Sequence, residues 1–233
     1  MRRIAVLCVG ILGAVCAYPK TVRAEAGELY TGGSVALEYG QLGYLRQGLE
    51  GGEGFGTPTE LLPRFGGFAR YGLSNEVQLG AAFEYAYRSS TEYPGSIVDG
   101  RTGSLFVRYA EWSLPVTLSY LFSRGYSSSL LASLELGVSS VTFEDQSFVD
   151  PERPDAEGNP GAIDIDLRKE SGMGLLVGGR LEWDWRISSW LVFDIGPYLH
   201  WRQAAVDGGT SGNVHFGLAI RPAFIWAAGP RVF

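Results

Sequence analysis

Four charged residues occupy every second position of one short stretch: Arg180, Glu182, Asp184 and Arg186, within Gly172 to Arg186. Side chains two apart on a strand share a face, so this spacing sets two guanidinium groups and two carboxylates on one surface. The intervening row is Met173, Leu175, Val177, Gly179, Leu181, Trp183 and Trp185. One face is greasy and the other small or charged. A strand has that character when one side meets lipid and the other a packed polar interior.

The same parity recurs along the chain. Arg64, Arg70, Glu84, Arg88, Glu135, Asp194, Arg202 and Arg221 all fall on the face opposite an apolar row. Together with the first four they could line a selective pore or form a salt-bridged plug. The plug is favoured: an eight-stranded interior is just wide enough for side chains to fill it. Buried charges must also be paired, and both signs are present. The two histidines, His200 and His215, point inward on neighbouring strands. With a serine or an acid they could serve in lipid deacylation, but no His-x-Ser pattern accompanies either and no nucleophile stands out. A metal would need a third ligand that the sequence does not supply. They are therefore read as satisfied interior histidines, with no catalytic residue, metal or cofactor expected.

The chemistry outside this surface is acidic. Residues 144–171 hold nine acidic and three basic residues. Asp155, Glu157, Asn159 and Asp166 have a faint calcium-like spacing, but Pro160 stands where an EF-hand loop needs glycine. The reading is a solvated external loop, with loose divalent-cation binding as a mild expectation.

Eight strand candidates must position these residues. They are 34–46, 61–73, 77–88, 104–122, 130–143, 172–186, 191–202 and 214–226. In the third, Val77, Leu79, Ala81, Phe83, Tyr85 and Tyr87 oppose Gln78, Gly80, Ala82, Glu84, Ala86 and Arg88. The fourth carries a predicted bulge or parity break near Glu111 to Pro115, because proline cannot donate to a ladder. Long links (47–59, 89–103, 144–171 and 203–212) alternate with short turns near 72–76, 123–128 and 187–190. That order predicts an all-β fold: an eight-stranded antiparallel up-and-down transmembrane β-barrel with both termini on one side. Tyr71, Tyr120, Phe122, Trp185, Trp190 and Trp226 fall near short turns, and Tyr87 and Trp201 near long loops, where interfacial girdles belong.

The start of the chain reads as an export signal. Arg2 and Arg3 precede the apolar stretch 4–18, and Val22-Arg23-Ala24 offers small residues for cleavage. The expected organisation is a signal peptide over 1–24 and a barrel domain over 25–233. Both cysteines, Cys8 and Cys16, lie in the signal, so the mature chain has no thiol or disulfide chemistry. Loss of Arg2, Arg3, Lys20 and Arg23 lowers the basic count from 19 to 15 against 25 acidic residues, giving a charge of −10. Nucleic acid, which needs a basic face, is excluded as a partner.

By this patterning, by the short-turn phrase Tyr71-Gly72-Leu73-Ser74-Asn75-Glu76-Val77-Gln78-Leu79-Gly80, and by the terminal Phe233, the chain resembles the small bacterial outer-membrane β-barrel superfamily. The resemblance is of the porin-like and OmpX/OmpW-like general type and covers most of residues 30–233. It implies location in the outer membrane of a Gram-negative cell envelope. It also implies contact with lipid and lipopolysaccharide, and a C-terminal aromatic residue read by the barrel assembly machinery. Phe233 matches that signal, although Gly229, Pro230 and Arg231 do not continue the alternation. The expected role is structural or interactive and not enzymatic. A small porin is the alternative, and a lipid-modifying enzyme a more distant one.

Overall fold

The structure, a computed structural model, describes residues 26–41, 59–98, 101–124, 128–154, 160–163, 171–206 and 209–227. The described chain forms β1 (Glu28–Gln41), β2 (Thr59–Gly72), β3 (Val77–Val98), β4 (Arg101–Arg124), β5 (Ser128–Pro154), β6 (Pro160–Ile163), β7 (Ser171–Arg186), β8 (Leu191–Val206) and β9 (Gly209–Ala227). All of these but β6 form the ring: β1 to β5 pair in chain order, β5 pairs with β7, β7 to β9 pair in chain order, all antiparallel, and β1 pairs with β9 to close the barrel. Closure leaves the ring itself no unpaired edge among the described residues, the condition for a sheet to sit in lipid. β6 lies outside the ring and pairs with the upper part of β5.

Alternating burial follows from the sequence alternation. Along β7, Leu181, Trp183 and Trp185 are exposed while Arg180, Glu182 and Asp184 are buried. The outward rows make a continuous apolar belt: Val35 and Leu37 on β1, Phe65 on β2, Phe83 on β3, Val116 on β4, Leu136 on β5, Phe216 on β9. A belt this large is not a water-facing surface. At the short-turn end it is rimmed by aromatics. Trp190 stacks on Phe224 with centroids 6.0 Å apart, and the Trp226 indole N–H donates to Thr31 Oγ1 at 2.8 Å.

Four sequence expectations need correction. The link 89–103 is mostly strand: β3 runs to Val98 and β4 starts at Arg101, with register shifts between Arg88 and Thr91 and between Pro94 and Ser96 absorbing the irregularity. The link 144–171 is part strand, because β5 continues to Pro154 and β6 pairs back on it. The link 203–212 is mostly strand, because β8 runs to Val206, β9 starts at Gly209, and these two residues are paired. Finally, no parity break occurs near Pro115. Tyr109, Glu111, Ser113, Thr117 and Ser119 are all buried on one face, and the β4–β5 register shifts lie between Val107 and Tyr109 and between Leu121 and Ser123. The missing Pro115 donor coincides with a gap in the β3–β4 ladder between Ala81↔Val116 and Glu84↔Ser113. One ladder bond is forgone, and the strand keeps its parity.

Candidate functional site

The interior of the barrel holds one connected ion-pair cluster to which every barrel strand contributes. Glu38 comes from β1, Arg64 from β2, Glu84 from β3, Glu111 from β4, Glu135 from β5, Arg180 from β7, Arg202 from β8 and His215 from β9. Strand alternation aims each of these inward. The narrow bore then brings strands distant in sequence within hydrogen-bonding reach.

Glu38 is the hub. Its carboxylate accepts from Arg64 at 2.9 Å, from Arg202 at 2.6 and 2.8 Å, and from the Tyr198 hydroxyl at 2.8 Å. Arg64 also donates to Glu111 at 2.5 Å, and Arg202 lies 3.5 Å from Glu111. Arg180 joins Glu84 at 3.0 Å to Glu135 at 3.1 Å, and its guanidinium lies 4.7 Å from the centroid of the Tyr198 ring. Charge-assisted bonds of this kind are the strong members of their class.

Both histidines are fixed within the cluster. Arg202 can only donate, so its 2.9 Å contact makes His200 Nδ1 an acceptor and places the imidazole proton on Nε2, which donates to Glu135. His215 Nδ1 donates to Glu38 at 3.0 Å, while its Nε2 has no hydrogen-bond partner among the described residues. Each ring lies over a glycine of the paired strand. A Cβ at Gly178 would fall on the His200 ring, and one at Gly40 on the His215 ring.

A second cluster lies nearer the short turns. Arg70 faces Asp194 at 3.2 Å, Asp184 at 3.7 Å and Glu182 at 3.8 Å, and Arg221 donates to Glu182 at 2.9 Å. Arg221 also sits 3.8 Å from the Phe68 ring centroid, and Arg70 lies 5.0 Å from that of Tyr30. Arg180 stands 3.8 Å from Glu182 and joins the two clusters. At the rim, Arg186 pairs with Glu28 at 2.7 Å, and Tyr30 donates to the same carboxylate at 2.6 Å.

Of the expected interior charges, Arg64, Arg70, Glu84, Glu135, Arg180, Glu182, Asp184, Asp194, Arg202 and Arg221 are buried and in the network. Arg186 is half-buried at its end. The Arg88 side chain lies outside the described residues, as do residues 1–25, Phe233 and, within the acidic stretch 144–171, residues 155–159 and 164–170. Sequence reasoning missed Glu38, Glu111 and Glu28. Glu38 was visible, since it shares parity with Ala36 and Gly40 opposite Val35, Leu37 and Tyr39. Glu111 was hidden by the break expected at Pro115.

The geometry also bears on metal and catalytic chemistry. Glu38, Glu111 and His215 bring potential ligand atoms within 4.8 Å of one another. Both carboxylates, however, are already held by Arg64, with Arg202 beside them, so guanidinium charge stands where a cation would have to enter. Among the described residues, neither histidine hydrogen-bonds a serine or threonine hydroxyl. Ser119 and Ser133 bond to each other at 2.8 Å.

The fold is that of the small eight-stranded outer-membrane barrels. The chain is similar to Neisserial surface protein A, with a TM-score of 0.52, 10% identity, and coverage of 85% of this chain and 98% of that one. The outer membrane protein OprG from Pseudomonas aeruginosa gives a TM-score of 0.49 at 14% identity, covering 88% and 98%. Ail, the attachment invasion locus protein of Yersinia pestis, gives 0.47 at 11% identity, covering 86% and 99%. No protein-family model and no curated protein matches the sequence.

Proposed function

We propose that this chain is an integral outer-membrane barrel protein whose bore is closed by its own side chains, with a structural or interactive role. One observation carries the reading: all eight barrel strands donate to a single buried cluster centred on Glu38, with Glu38, His200 and His215 at 0% exposure. Conduction of small solutes, the alternative, would require the Arg202–Glu38–Arg64 contacts to separate. That would strand charges in a low-dielectric bore, at a cost of several kcal/mol each. Lipid-modifying catalysis is less well supported, because His200 and His215 are both fully buried, neither hydrogen-bonds a serine or threonine hydroxyl among the described residues, and His200 has both ring nitrogens engaged.

The acidic segment 144–171 then forms the part of the chain that meets the outside. Its partners are the lipopolysaccharide surface and the divalent cations held there. The export signal over 1–24 and the terminal Phe233, as a mark for the assembly machinery, complete this reading. Planar-bilayer recording tests it: purified protein is expected to give no conductance steps, and steps that persist through repurification overturn the closed bore. Calcium titration with hydrogen exchange tests the cation arm, which fails if protection of 144–171 is unchanged.

A further inference from the structure

A hollow of about 610 Å³ opens on the outer wall of the barrel, across β5, β7, β8 and β9. Ala132, Gly179 and Pro197 line it with little side chain, while Leu134, Leu199 and Trp201 stand around it. Leu134 is 71% exposed, the most prominent large apolar side chain on this part of the wall. Trp201 is held in place because its indole packs directly over the backbone of Gly212. The charged and imidazole groups at this level, Arg180 and His200, are buried on the opposite side of the sheet.

We propose that this hollow seats one acyl chain of a bilayer phospholipid. The inference rests on the outer-membrane reading above, since the hollow is continuous with the apolar belt. Three observations select the occupant. No charged side chain faces the hollow, so the ligand is uncharged where it touches the wall. The hollow lies at mid-height of β7, which runs from Ser171 to Arg186, so chains reach it and headgroups do not. The side chains around it, Leu134, Val177, Leu181, Leu199 and Phe216, are all apolar and exposed, a surface that suits a flexible hydrocarbon chain. Burial of each methylene there gives the chain a preferred position over the rest of the belt.

Quenching by brominated lipid tests the seat. A protein keeping only Trp201, with the other five tryptophans changed to Phe, is refolded into phosphatidylcholine vesicles brominated at mid-chain. Trp201 emission is expected to be quenched, and Gly179→Leu and Ala132→Leu are each expected to cut that quenching about twofold, as short-range contact is lost. Ala132→Leu extends an existing Cβ toward lipid, so it serves if the glycine variant folds poorly. Ala81→Leu, on β3, should leave the quenching unchanged. A companion protein keeping only Trp183 separates the two readings. If Trp183 is quenched but Trp201 quenching ignores both filling substitutions, the seat is wrong and the membrane reading stands. If Trp183 is not quenched, both fall. Loss of Trp201 quenching at high protein-to-lipid ratio would assign the hollow to a second copy and overturn the proposal.

Discussion

At the scale of single residues, Glu38 concentrates the electrostatics of the interior. It is fully buried and accepts from Arg64, Arg202 and Tyr198, while His215 donates to it from β9. Removing one partner of a buried pair leaves the other charge uncompensated, and that costs about 3–5 kcal/mol. Glu38→Leu is therefore expected to destabilise the barrel by about that much in urea unfolding from lipid vesicles. Glu76→Gln, at an exposed turn, should change stability by less than about 0.5 kcal/mol. Replacing Glu38, Glu111, Arg64 and Arg202 together with apolar residues of similar size should recover most of the loss, because the two carboxylates and the two guanidinium groups that pair them leave together, while Glu84 keeps Arg180. A loss below about 1 kcal/mol for Glu38→Leu alone would show that water reaches the hub.

At the scale of elements, each strand carries two codes, and the glycines show how they mesh. Gly178 on β7 is directly paired with His200 on β8, and the imidazole occupies the space a Cβ would need. Gly178→Ala should destabilise by about 1–3 kcal/mol through overpacking. A His200→Ala background should remove the part of the penalty that comes from the imidazole and leave the part that comes from the Leu199 carbonyl, which such a Cβ would meet at 2.6 Å; a double-mutant cycle without coupling would sink this account. The opposite code faces lipid. Leu136→Arg, on the outward row of β5, is expected to cost about 2–4 kcal/mol if it lies near the bilayer midplane. Indifference to that substitution in vesicle-embedded protein would contradict the belt.

At the scale of the whole molecule, the barrel and the part that rises above it differ in how their edges are satisfied. β2 pairs with β3 only as far as Arg64↔Ala86, whereas β3 and β4 go on pairing to Val98↔Arg101. Above that level, among the described residues, β3 has a partner on one side only, and β6 caps the other side of the raised sheet. Backbone bonds of such an edge open at lower free energy than those of a closed ring. Hydrogen exchange should therefore run faster in 91–98 than in 79–86 of the same strand. Equal protection along β3 would mean that the raised edge is covered.

Much of this molecule was legible before folding. The alternation around Gly172–Arg186 assigned the two faces of β7, because a strand has a period of two and a slip of one residue would turn four charges to lipid. The same rule placed Arg64, Glu84, Glu135, Arg202 and Arg221 inside, and the order of links counted the barrel strands. What failed was local. Pro115 looked like a break in parity and was only a missing donor, so Glu111 was lost from the interior. The polar links 89–103 and 203–212 looked like loops because no apolar row marks a strand that has left the membrane.

Partner choice was never legible. The sequence grouped Arg180, Glu182, Asp184 and Arg186 as neighbours, yet Arg180 binds Glu84 and Glu135, Asp184 faces Arg70, and Arg186 pairs with Glu28. Periodicity along one strand fixes which face a side chain takes, since that is a property of the backbone. Which charge it meets depends on the closure, register and width of the barrel, and these exist only once all eight strands have come around the same bore.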